Sequence, residues 1–110
     1  MPRKPALRFR AKGWLELEGR VVAGEGRISL LESIQREGSI TAAARAEGMS
    51  YRHAWGQIKR MESVVGQPLV ISQPGGRSGG RSQLTSTGLA LIRAFRAGHE
   101  VLRKDGFVDQ

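Results

Sequence analysis

The stretch SITAAARAEGMSYRHAWGQIKRME, residues 39 to 62, limits what this chain can become more than any other. Its alanines at 42, 43, 44 and 46 favour helix and leave room for close packing, while Ser39 or Thr41 can accept the first free backbone N–H groups. Gly48 ends that helix, and Ser50 then caps a new one running from Tyr51 to about Val65. Two helices joined by only Glu-Gly-Met-Ser must lie close together at a sharp angle, which is the outline of a helix-turn-helix.

The flanks supply the rest of a fold. From Gly26 to Glu37 the apolar residues Ile28, Leu30, Leu31 and Ile34 fall within one helical arc, and Gly38 suits a left-handed C-terminal cap. WLELEG at 14–19 alternates, which predicts a half-buried strand with Leu15 and Leu17 inward, followed by a turn at Gly19 into Val21 and Val22. PLVIS at 68–72 reads as a strand, and QPGGRSGGRSQLT as a glycine-rich tip returning through Gln83 and Leu84 to a second strand. Thr85 or Ser86 caps a last helix from about Thr87 to Lys104, whose stripe of Leu91, Ile92, Phe95 and Leu102 predicts a dimer interface. The expected fold class is mainly α with a small β wing, a winged helix-turn-helix with a dimer-forming terminal helix. Residues 1–13 read as a flexible basic arm, 14–104 as the winged helix-turn-helix domain and 105–110 as a tail.

Composition narrows the function. The 110 residues suffice for one domain with a modest core. Lys and Arg number 18 against 10 Asp and Glu, a formal charge of +8, which points to an anionic polymer as partner. Between Gly38 and Ala97 stand eight basic residues and two acidic ones, so the excess is concentrated where the helix-turn-helix and wing lie. With no cysteine there is neither a disulfide framework nor a thiolate site, and two histidines make a metal site improbable. No cofactor is expected. The basic N-terminus lacks the apolar run of a signal peptide, no membrane span is present, and a cytoplasmic, nucleoid-associated location is the expectation. There is no nucleophile-base set and no acid pair, since Glu16 and Glu18 alternate on the outer face of a strand, so an enzyme is not expected.

Laid on a 100° wheel, the third helix puts Ala54, Ile58 and Met61 on one side and Arg52, Gly56, Lys59 and Arg60 on the other. A glycine in a helix interior costs about 1 kcal/mol relative to alanine, and the packing pattern does not ask for Gly56. Close approach of the helix to a groove wall would explain it. Arg52 is placed to donate a bidentate pair to guanine, and Lys59 and Arg60 to reach phosphates. Taken alone, Arg52 and Lys59 read as readily as an ordinary solvated face. Trp55 reads more readily as a lid on the core than as a base contact, and His53 as a phosphate contact or an exposed residue. Arg77 and Arg81 in the glycine-rich segment could reach phosphates or the minor groove.

These residues together resemble a family. GSITAAARAEGMSYRHAW, then PLV, then GGRSGG, then LTSTGLALI resembles the N-terminal DNA-binding domain of ModE-type molybdate-responsive transcription regulators, over roughly residues 14–103. The LysR family shares the helix-turn-helix but less of the rest. The resemblance implies a winged helix-turn-helix that dimerises through its N-terminal and last helical segments and binds an inverted repeat in double-stranded DNA. It implies recognition-helix roles for Ser50, Tyr51, Arg52 and Trp55, and wing roles for Gly75, Gly76, Gly79 and Gly80. Two departures stand out: Gly56 where the family often has a polar residue, and Arg81 and Ser82 interrupting the wing. The chain stops at Gln110, before oxyanion-binding domains could begin, so the signal is expected from a separate oxyanion-binding protein, from another effector, or from none. The rival expectation is a nonspecific architectural protein using the same charge without reading bases.

Overall fold

The computed structural model describes residues 6–8, 10–74 and 80–104. The expectations for most of the arm, for the tail 105–110, for Gly75, Gly76 and Gly79, and for Arg77 lie outside these residues. The elements follow in the order β1 (Leu15–Leu17), β2 (Arg20–Ala23), α1 (Glu25–Glu37), α2 (Ile40–Ala46), α3 (Tyr51–Val65), β3 (Val70–Gln73), β4 (Arg81–Leu84) and α4 (Ser86–Lys104). The class is therefore mainly α with two small two-stranded antiparallel sheets, β1-β2 and β3-β4.

The helix boundaries follow from their caps. Ser39, rather than Thr41, caps α2, accepting from the Ala42 N–H at 3.0 Å, and Ser50 caps α3, accepting from His53 N–H at 3.1 Å. Gly38 closes α1 in the left-handed region at φ 81°, as expected. In the turn between α2 and α3 Gly48 takes φ 70°, which lets Met49 N–H reach back to the Ala44 carbonyl at 2.9 Å. Thr85 stands before α4, where its hydroxyl accepts from Gly88 N–H at 3.1 Å and donates to the Pro68 carbonyl at 2.7 Å.

The core is three helices deep. Ile28, Leu30, Leu31 and Ile34 from α1 meet Ile40, Ala43 and Ala44 from α2 and Ala54, Ile58 and Met61 from α3, with Val22, Ala23, Leu69 and Phe95 closing the cluster. Each large aliphatic side chain buried there contributes about 1.5 to 3 kcal/mol. Ser33 is fully buried among them, and its hydroxyl donates to Glu47 at 2.6 Å, so α1 holds the turn of the helix-turn-helix directly.

Three expectations are corrected. Leu17 is 42% exposed rather than inward. The pairing slips between Leu15 and Glu16, and such a bulge places the residues on its two sides on different faces. Glu18 and Gly19, both with positive φ, form the two-residue turn of this hairpin. Arg81 and Ser82 do not interrupt the wing but are its returning strand, paired with Gln73 and Ser72. The third correction concerns α4. Phe95 is only 5% exposed and belongs to this chain's own core, and Leu91 and Ile92 are half-buried against it. Phe95 is therefore withdrawn from any such interface, whereas Leu91, Ile92 and Leu102 each keep part of their surface exposed.

Two features of α4 were not foreseen. A Cβ on Gly88 would stand 2.5 Å from the carbonyl oxygen of Leu69, so the helix can approach the start of the wing only because residue 88 has no side chain. Arg96 donates to both carboxylate oxygens of Glu25 at 2.9 and 3.0 Å and to both of Glu32 at 2.6 and 3.0 Å, clamping α4 to α1. The hydrogen bonds from Arg96 lower the Glu32 pKa from 4.5 against the opposing effect of burial, and the same bonds raise that of Arg96.

Gly88→Ala should lower unfolding stability by about 1 to 3 kcal/mol, the usual cost of overpacking against an immobile group, as read from denaturant midpoints. For Glu32 the folded carboxyl titrates below its unfolded value, so its contribution is complete above that value and disappears as pH falls through the folded one. Arg96→Met should therefore reduce stability at pH 7 and flatten its decline below about pH 4.5, the ordinary value from which Glu32 is displaced. Thermal melts from pH 3 to 7 check this.

Candidate nucleic-acid interface

The outward face of α3 is set by what the inward face buries. With Ala54, Ile58 and Met61 at 0 to 2% exposure, the 100° step turns Arg52, Gly56, Lys59 and Arg60 away from the core, and all three of these cations are exposed. Among the described residues neither Arg52 nor Arg60 has an ion-pair partner for its side chain. The nearest atom to a Cβ built on Gly56 is a guanidinium nitrogen of Arg60 at 3.9 Å, an ordinary contact. Nothing among the described residues lies close enough to require that glycine.

Lys59 is held differently from its neighbours. Its ammonium donates to Glu62 at 3.1 Å and lies 5.4 Å from the ring centroid of Trp55. Trp55 itself is 48% exposed, so it is not the core lid that its position on the wheel suggests. His53 is exposed at the first turn of α3. Arg27 on α1 donates to the side-chain carbonyl of Gln57 and, at 2.9 Å, to the Val22 carbonyl. Because a guanidinium can only donate, Gln57 turns its amide nitrogen to His53 Nε2, 3.2 Å away, and that ring nitrogen is the acceptor.

The wing stands beside the start of α3. Ser82 N–H donates to the Gly38 carbonyl at 2.8 Å, which joins β4 to the junction of α1 and α2. A cleft between wing and helices is lined by Ser39, Thr41, Tyr51, Gln73, Gly80 and Ser82. The structure thus brings Thr41, Tyr51 and the wing together on one side, with Arg81 at the outer end of β4. Ser39 and Ser50 are occupied as caps. Arg96, one of the eight basic residues that marked the basic stretch, is withdrawn by its two carboxylates. Among the described residues no group of three potential metal ligands occurs, and no helix is long and apolar enough to cross a membrane.

A helix-turn-helix with a cationic, glycine-notched outer helix and an adjoining two-stranded wing is the geometry of a DNA reader. The pattern of the bacterial regulatory helix-turn-helix proteins, lysR family, matches residues 26–89, from α1 into α4. The chain belongs to that family. As a member it is a DNA-binding transcription-regulator module. It is 41% identical over 92 residues to the "Molybdenum transport protein ModE" of Azotobacter vinelandii, covering 84% of this chain and 34% of that protein. It is 44% identical over 81 residues to the "Molybdenum-pterin-binding protein MopA" of Rhodobacter capsulatus, covering 74% and 31%. The regulator module thus spans about a third of the length of the curated relatives it matches. Among solved structures, a CbnR DNA-binding domain in complex with DNA is similar in fold at a TM-score of 0.55 and 21% identity, covering 73% of this chain and 86% of that one.

Gly56→Ala separates folding from binding in this regulator. It should raise stability by about 0.5 to 1 kcal/mol, since alanine is the better helix former and meets only an ordinary contact. It should weaken DNA binding at the same time. Parallel melting and duplex titration measure the two effects, and a fall in both would place the need for glycine inside the fold.

Proposed function

We propose that this regulator reads an inverted-repeat operator as a homodimer, with α3 in the major groove and the wing along the flanking backbone. The observation that carries the reading is the outward face of α3, where Arg52 and Arg60 flank Gly56 and lack ion-pair partners among the described residues. Arg52, in the first turn, is the base reader, because the N-terminal residues of a recognition helix reach base edges and arginine donates a bidentate pair to guanine. Arg60, Arg81 and Arg77 contact phosphates, Thr41 approaches the backbone on the wing side of α3, and His53 does so on the opposite flank, beside Gln57. Two-fold symmetry would set the paired helices about 34 Å apart, one turn of DNA.

The support for a homodimer lies in the N-terminal hairpin and the far end of α4. Trp14, Leu17, Val21 and Val101 are 42 to 57% exposed, and Leu102 lines an apolar groove of about 200 Å³ with Trp14, Leu15 and Phe95. Exposed apolar surface gathered on adjoining elements favours burial against a second copy. The names of the relatives support a link to molybdenum, with the oxyanion sensed by a separate oxyanion-binding protein or by segments beyond this module.

Selection from a random duplex library at physiological salt, with and without molybdate, tests the proposal. Enrichment of an inverted repeat is expected, with cognate affinity at least about 10³-fold above random duplex. Equal affinity for all duplexes would leave a nonspecific architectural protein. Arg52→Ala should cost about 1 to 3 kcal/mol at the cognate site and relax preference at one position. Arg60→Ala should weaken all duplexes alike and lower the salt slope by about 0.9.

A further inference from the structure

Trp55, Lys59 and Glu62 occupy successive turns along one flank of α3. Glu62, the one acidic residue of that helix, is the fixed end of the row. Its Oε2 accepts from the backbone N–H of Leu69 at 2.8 Å, and Leu69 is fully buried at the root of the wing. Its Oε1 accepts from the Lys59 ammonium at 3.1 Å. Lys59 in turn sits 5.4 Å from the Trp55 ring centroid, within the range at which a cation is attracted to the face of an indole. A freely solvated lysine would range over many rotamers. This one is drawn from two directions, and its position restricts the indole beneath it.

The result is a large apolar plane, 48% exposed, held on the flank of the recognition helix. Beside it Gly56 leaves the helix surface open. The major groove carries one apolar group large enough for a plane of this kind to select, the 5-methyl group of thymine; apart from the small C5–H of cytosine, the base-pair edges otherwise present hydrogen-bond donors and acceptors there. The indole Nε1–H could donate to a phosphate, but only an apolar group on a base edge would bury the ring face that water leaves half exposed.

We propose that Trp55 is a specificity-determining residue that reads a thymine methyl in each half-site, and that Glu62 and Lys59 are positioning residues that set its indole. The proposal rests on the reading of α3 as the recognition helix. It removes Lys59 from the general phosphate contacts and gives the Glu62–Leu69 hydrogen bond a second role, because the anchor of the wing is also the anchor of the reader.

Deoxyuridine provides the test, since it lacks only the methyl group and keeps every hydrogen-bonding group of thymine. In the duplex obtained by selection, each thymine is replaced in turn and the affinity of the full chain measured. One thymine per half-site should be sensitive, each replacement weakening wild-type binding about fourfold, the equivalent of one buried methyl-sized group at about 0.8 kcal/mol. Trp55→Ala should bind thymine and uracil duplexes alike at that position, and Trp55→Phe should keep part of the difference. Glu62→Gln can still accept from Leu69 N–H through its amide oxygen but no longer attracts Lys59. That variant and Lys59→Met should both reduce the discrimination at the sensitive thymine while leaving melting temperatures near wild type.

Wild-type indifference to every uracil, or full discrimination by Trp55→Ala, would overturn the assignment of Trp55. Undiminished discrimination in both Glu62→Gln and Lys59→Met would overturn the clamp. Failure of the library to enrich any duplex is a different result, and it would overturn the operator reading itself.

Discussion

The backbone of Leu69 is the joint on which the arrangement depends. Its N–H is bound by Glu62 near the end of α3, its carbonyl accepts from Thr85 N–H at 2.9 Å, and Gly88 of α4 presses against that same oxygen. Three elements therefore meet at one residue whose side chain is fully buried in the core. Backbone groups buried without partners would cost more than the bonds they make contribute, so this joint has little freedom to open. The third helix and the wing are consequently set relative to each other by the fold itself.

Charge is handled in two ways across the molecule. On α3 and at the start of β4, Arg52, Arg60 and Arg81 stand exposed, and the helical surface between the first two is left open by a glycine. On α4, Arg96 is withdrawn by Glu25 and Glu32 and becomes part of the structure that holds the helix to α1. The excess of basic residues between Gly38 and Ala97 thus overstates what is offered to a polyanion at that face, because Arg96 is paired with carboxylates from outside that stretch. Formal charge counts residues, whereas attraction to phosphate depends on which cations are left without an internal anion.

Local signals were legible where the physics is local. Ser39 and Ser50 as caps, Gly38 as a left-handed terminus and the inward trio of Ala54, Ile58 and Met61 all depend on neighbours within one or two turns. The wing was recognisable from its β-branched strand and glycine-rich return. The miss at Leu17 has a physical source, since strict alternation holds only while the pairing register is kept and a bulge breaks it. Trp55 was misjudged because a wheel position bordering the apolar face does not say whether a neighbouring element covers it, and among the described residues 48% of it stays exposed. The Lys59–Glu62 pair could have been suspected from its i,i+3 spacing, but the hydrogen bond that pins Glu62 to the wing could not.

The sequence by itself determined the helix-turn-helix, its wing, the face of α3 turned outward and the family to which the module belongs, because caps, periodicity and turn residues act over a few positions. Only the tertiary structure decided that Phe95 serves this chain's own core, that Arg96 closes on two carboxylates 64 and 71 residues away, and that Gly88 must lack a side chain. Those outcomes depend on which surfaces meet when distant segments pack, and at such separations neither periodicity nor spacing carries information about the partner.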